Sequence, residues 1–61
     1  MSELDLKIIQ LICDLKTNKQ IADELKISVP SLNLKIRNIF KKIGVTTRYE
    51  LIYKVKTDGL K

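Results

Sequence analysis

The chain contains no histidine and a single cysteine, Cys13. Without pairs of either residue, a Cys/His zinc site, an internal disulfide and any Ser-His-Asp or Cys-His arrangement are excluded. No paired carboxylates or phosphate-cradling glycine loop offer another route to catalysis. The sequence therefore predicts no enzyme, no cofactor and no metal. No apolar run approaches the ~20 residues needed to span a bilayer. The opening Met-Ser-Glu-Leu-Asp lacks the basic start of a secretory leader. A cytoplasmic protein with no membrane partner is expected. Cys13, lying among Leu11, Ile12 and Leu15, reads as a small buried apolar residue in a reducing compartment. Aromatics are few (Phe40, Tyr49, Tyr53), as suits a small helical module.

What is present is charge, unevenly placed. The 61 residues form one expected domain, 1–61, with a formal net charge of +5. A chain of this size buries only about 60% of the surface its unfolded form exposes, so its stability is modest. Residues 1–30 carry Lys7, Lys16, Lys19 and Lys26 against Glu3, Asp5, Asp14, Asp23 and Glu24, a net of −1. Residues 31–61 carry eight basic groups (Lys35, Arg37, Lys41, Lys42, Arg48, Lys54, Lys56, Lys61) against Glu50 and Asp58, a net of +6. Such polarity suits a polyanionic partner, although lysines also serve simply to keep a small domain soluble.

Capping signals and apolar spacing predict an all-α chain of four helices. Ser2 with Asp5 resembles a capping box and opens a run placing Leu4, Ile8, Leu11, Ile12 and Leu15 on one face. Thr17 and Gln20 form a second box, opening a short helix over about 18–25 with Ile21, Ala22 and Leu25 inward. Ser28 caps a third helix over about 29–42, in whose first turn Pro30 is tolerated. Gly44 can take the left-handed conformation that ends it. Thr47 and Glu50 make a third box, Thr-x-x-Glu, and start a helix carrying Leu51, Ile52 and Val55, closed by Asp58-Gly59. No segment alternates with period two, and no repeat or linker appears.

The informative unit is the pair of helices joined by Lys26-Ile27-Ser28. This is helix-turn-helix spacing, in which the second helix enters the major groove of DNA. Ala22 is small enough for close helix approach, and Ile27 can fill the space beneath the turn. At about 100° per residue, Leu32, Ile36, Ile39, Phe40 and Ile43 share the core side of the third helix. Pro30, Leu34, Arg37, Asn38 and Lys41 face the opposite way, with Asn33 at the edge. Asparagine can bond adenine N6 and N7, arginine can bond guanine O6 and N7, and leucine can meet a thymine methyl. Lys41, farther along, suits a phosphate. The same residue types also line ordinary solvent-facing helices, and one exposed leucine is unremarkable alone. Their position on the second helix of the bihelical unit is what favours readout.

Four segments together resemble the LuxR-type helix-turn-helix, also called GerE- or NarL-type. They are Asn18-Lys19-Gln20-Ile21-Ala22, Leu25-Lys26-Ile27-Ser28, Asn38 through Val45, and Arg48-Tyr49-Glu50-Leu51, and the likeness runs from Ser2 to Leu60 without a gap. It implies a four-helix domain that binds double-stranded DNA as a homodimer to regulate transcription. Such domains are commonly the output part of a response regulator or autoinducer receptor, so an upstream receiver or sensor domain is the implied partner within a longer protein. By position, Asn33, Leu34 and Arg37 match residues that meet bases. Lys19, Ser31 and Lys41 match residues near phosphates, and Lys35, where many members have histidine, is grouped with them. Tyr49, Ile52, Tyr53 and Lys56 on the fourth helix match the dimer contact. The chain departs from the pattern at Leu4, which replaces a basic residue, and at Asp14-Leu15-Lys16 and Lys26, which replace glycines. Lys26 is expected to be left-handed, at about 1 kcal/mol relative to glycine. Ser31-Leu32-Asn33 stands where Thr-Val-Lys is usual.

Two other readings remain. A helical interaction module, an adaptor or anti-activator with this fold, would use Leu4, Leu34 and the two tyrosines to bind protein. Another helix-turn-helix type, such as a sigma-factor region or recombinase domain, would not share the Gly44-Val45 and Arg48-Tyr49-Glu50-Leu51 matches.

Overall fold

A computed structural model describes residues 2–59, which form four α-helices and no strand: α1 (Glu3–Cys13), α2 (Asn18–Leu25), α3 (Val29–Ile43) and α4 (Arg48–Asp58). Leu60, the last residue of the family likeness, and Lys61, one of the basic groups, lie outside the described residues, as does Met1. Each helix begins where a hydroxyl can accept an otherwise orphaned first-turn N–H. Ser2, Thr17, Ser28 and Thr47 accept from the backbone N–H of Asp5, Gln20, Ser31 and Glu50 respectively.

The three expected boxes close differently. The Thr17 box is complete, since the Gln20 side chain accepts the Thr17 N–H at 2.9 Å. At Thr47 the return contact shifts by one residue: Glu50 Oε1 accepts the Thr46 N–H at 3.3 Å and the Thr46 hydroxyl. These contacts, led by the Thr46 hydroxyl, hold the Glu50 carboxyl below its ordinary value. At Ser2 the carboxylate of Asp5 is engaged elsewhere, pairing with Lys42 of α3 at 3.3 Å. Desolvation pushes Asp5 upward, but the Lys42 hydrogen bond and charge, with help from Ser2, outweigh it and lower its pKa.

Among the described residues the buried core is wholly apolar. Ile8, Ile9, Leu11 and Ile12 of α1 meet Ile21 and Ala22 of α2. Leu32, Ile36 and Ile39 of α3, Val45 and Leu51 complete it, with Leu25, Ile27, Phe40 and Ile43 half-buried around the edge. Helix α1 touches the other three, while α2 and α3 pack on each other.

Two expectations for α1 are corrected. Leu15 does not extend the core stripe: α1 stops at Cys13, and Leu15 is 77% exposed with φ 64°. Its N–H donates to Ile12 O and that of Lys16 to Leu11 O, the paired bonds of a Schellman end. The left-handed residue swings its side chain off the helical stripe. Leu4, on the same expected face, is likewise exposed. Cys13 is half-buried rather than fully buried, and burial followed by the Asp14 charge raises its thiol pKa.

Lys26 takes the left-handed conformation expected of it, φ 58°. Here too Lys26 N–H donates to Asp23 O and Ile27 N–H to Ala22 O, turning the chain from α2 into α3. Gly44, φ 86°, ends α3 in the same hand, with the Val45 N–H bonded to Phe40 O. The α2–turn–α3 unit is therefore capped at both ends and turned by hydrogen-bonded backbone.

Candidate nucleic-acid interface

Helix α3 shows two contrasting sides. Leu32, Ile36 and Ile39 are buried, whereas Leu34, Arg37, Asn38 and Lys41 are exposed on the far side. Leu34 stands near the centre of that outer face at 59% exposure. The helix carries Lys35, Arg37, Lys41 and Lys42 and no acidic residue. Lys42 is paired with Asp5; Arg37, Lys41, Lys35 and Lys19 have no ion-pair partner among the described residues. Lys41 and Lys42 in the last turn also complement the helix dipole.

The expected contact residues do not all converge. Leu34, Arg37 and Lys41 share the outer face, and Asn33 lies on the shoulder nearest α2. Ser31 is exposed in the first turn, where its Oγ accepts the Ser28 hydroxyl at 3.0 Å. That leaves the Ser31 O–H able to donate outward. Lys19 projects from the first turn of α2 and is exposed. Lys35 lies apart: it occupies the other shoulder of α3, opposite Asn33, and is half-buried.

A polar chain that sequence spacing did not reveal ties this face to the rest of the fold. Arg48, the first residue of α4, donates from Nη1 to Asn18 Oδ1 at 2.6 Å and from Nη2 to Lys16 O at 2.9 Å. Asn18, the first residue of α2, donates from Nδ2 to Asn33 Oδ1 at 3.1 Å. The partners lie 30 and 15 residues apart, so no periodicity links them. Asn18 and Arg48 fall in separate family-like segments, the one signal available, whereas Asn33 falls in none of them.

On α4, Tyr49, Ile52, Tyr53 and Lys56 recur at three- and four-residue steps and share a face. The two tyrosines are 85% and 70% exposed, and Ile52 is half-buried. Leu15 lines the same shallow groove as Tyr49 and Ile52.

The model of the bacterial regulatory proteins of the luxR family matches residues 1–55. The chain belongs to the LuxR family. No curated protein and no solved structure matches it significantly. As a LuxR-family domain it is a DNA-binding transcription regulator of the helix-turn-helix type, in a family of binding domains rather than enzymes. Among the described residues, no helix of this LuxR-family domain is long and apolar enough to cross a membrane. None of its described His, Cys, Asp or Glu residues gather in threes as a metal site would need.

Proposed function

We propose that the domain reads specific operator DNA by laying α3 in the major groove. Asn33, Leu34 and Arg37 would face base edges, while Lys19, Ser31, Lys35 and Lys41 would bond phosphates. A second copy would meet it through Tyr49, Ile52, Tyr53 and Lys56, setting half-sites about one helical turn apart. If the domain is the output part of a longer protein, an upstream receiver or sensor domain would control the pairing; as a single-domain regulator it would pair without one. The observation that carries this reading is the outer face of α3, basic and free of carboxylates, on the second helix of a tightly turned pair.

Selection of bound sequences from a random duplex pool tests it directly. A recovered motif with two related halves supports both the groove placement and the dimer. Recovery of no motif, together with salt-independent binding, would overturn the groove placement.

The 59% exposure of Leu34 favours a second reading, in which the same face docks on a protein. The two part at Leu34→Ala. Loss of preference for thymine at one position marks a methyl contact. An unchanged DNA motif, with loss of a protein partner, marks the alternative.

A further inference from the structure

The order of donors along the Arg48–Asn18–Asn33 chain has a chemical direction. A guanidinium has only donors. Where Arg48 Nη1 meets the Asn18 amide at 2.6 Å, the amide must therefore present its oxygen. An amide is planar, so committing the oxygen to one side turns the NH2 to the other. There Asn18 Nδ2 meets Asn33 at 3.1 Å, and Asn33 must in turn present its own oxygen. The donor-only character of Arg48 is thus handed through two amides. It leaves Asn33 with its oxygen held toward α2 and its NH2 as the group still to be satisfied.

We infer that Asn18, oriented by Arg48, is a specificity-determining positioning residue that makes Asn33 a hydrogen-bond donor toward DNA. This rests on the proposal that α3 lies in the major groove. An asparagine free to turn recognises adenine with both ends, accepting from N6–H and donating to N7. With its oxygen turned toward α2 and its NH2 outward, Asn33 favours edges that offer only acceptors, guanine O6 and N7 or thymine O4; adenine also offers N7, but its N6 amino group then meets no acceptor. Cytosine, whose major-groove edge presents the N4 amino donor, is disfavoured. Asn18 and Arg48 act here through Asn33 alone, without touching a base.

The discriminating variant is Asn18→Asp. A carboxylate still accepts from Arg48 but has no N–H to give to Asn33. The Asn33 amide then turns over, donates its NH2 to that carboxylate and shows its oxygen to the groove. A carboxylate in the first turn of α2 is favourable toward the helix dipole, so the variant should fold, which circular dichroism checks. Wild type, Asn18→Asp and Asn33→Ala are each put through selection from a random duplex pool.

The expected result is a guanine or thymine preference at one position in wild type, flattened in Asn33→Ala. In Asn18→Asp that position shifts toward adenine or cytosine by about tenfold, the other positions keeping their preferences. If Asn18→Asp weakens every sequence equally and leaves that position unchanged, the inference is overturned while groove reading stands. A wild-type chain that selects no sequence overturns groove reading itself. The relay is also open to a test without DNA or variants. In the free protein, side-chain NH2 exchange measured by NMR should be slower for Asn18 than for Asn33, and the reverse order overturns the inference.

Discussion

Asn18 begins α2 and Asn33 lies in the second turn of α3, yet their side-chain amides meet at 3.1 Å. This contact joins the two helices on their outer side, away from the apolar contacts of Ile21, Ala22 and Leu32. The helix pair is therefore held from both sides, by core packing beneath and by a polar tie above. The tie depends on Arg48, which also reaches the Lys16 carbonyl and so anchors α4 to the turn before α2.

Arg48→Met should consequently destabilise the fold. It removes two charge-assisted hydrogen bonds from a half-buried group and leaves the Lys16 carbonyl unpaired. A loss of about 1–2 kcal/mol is expected in urea unfolding. An unchanged midpoint would mean that solvent replaces both bonds without cost.

Thr17→Ala breaks the one box of the three that closes on both sides among the described residues, removing the acceptor for Gln20 N–H and loosening the return bond at 2.9 Å. Thermal unfolding should show a loss of about 1 kcal/mol. Thr17→Ser, which keeps the oxygen, should recover most of it.

Leu15→Gly and Lys26→Gly should each stabilise the domain. Both positions hold non-glycine residues at positive φ, and the Leu15 side chain is 77% exposed, so little packing is lost. Relief of about 1 kcal/mol at either site corresponds to a rise in Tm of about 4–8 °C for a chain of this size. The effects should add, because the two turns share no partner.

Acid should weaken the fold through Asp5 and Glu50. Both carboxyls are lowered in the folded state, by Lys42 and Ser2 in one case and by the Thr46 and Thr47 hydroxyls in the other. A lowered folded pKa means that the stabilisation is fully present above the ordinary carboxylate value. It is lost as pH falls through the folded one. Asp5→Asn should therefore lower Tm at neutral pH and flatten the acid decline, the two curves converging at low pH. High salt should shrink the neutral-pH difference, since the pair is at the surface.

The proposed interface predicts a contrast between two cations of α3. Arg37→Ala should cost about 1–3 kcal/mol on the selected operator and relax preference at one base pair. Lys41→Ala should weaken all sequences alike and reduce the salt slope by about one. If both variants bind operator and random DNA as wild type does, α3 does not carry the contact.

The helices were legible because their causes are local. Ser2, Thr17, Ser28 and Thr47 each act within three residues, and Gly44 and Lys26 end their helices through their own backbone angles. Leu15 was misplaced because apolar spacing continues the α1 stripe through it. The Schellman bonds of Leu15 and Lys16 end the helix first, and periodicity cannot sense that. The outer face of α3 was also legible, being the complement of its core stripe. What remained hidden was the company Asn33 keeps. The wheel places it at an edge, but only the crossing of α2, α3 and α4 brings Asn18 and Arg48 beside it. Asp5 likewise looked like a capping residue until α3 brought Lys42 within reach.

Helix α3 is bounded by Ser28 in front and left-handed Gly44 behind, and its turn from α2 is closed by two backbone bonds. A probe finished in this way does not have to be folded by whatever it meets. Its association should therefore lack the thermodynamic signature of coupled folding. The heat-capacity change should follow only the surface removed from water at contact, and mismatched and matched partners should encounter the same rigid shape. Discrimination would then reside in how quickly the wrong partner leaves rather than in how readily the right one is captured.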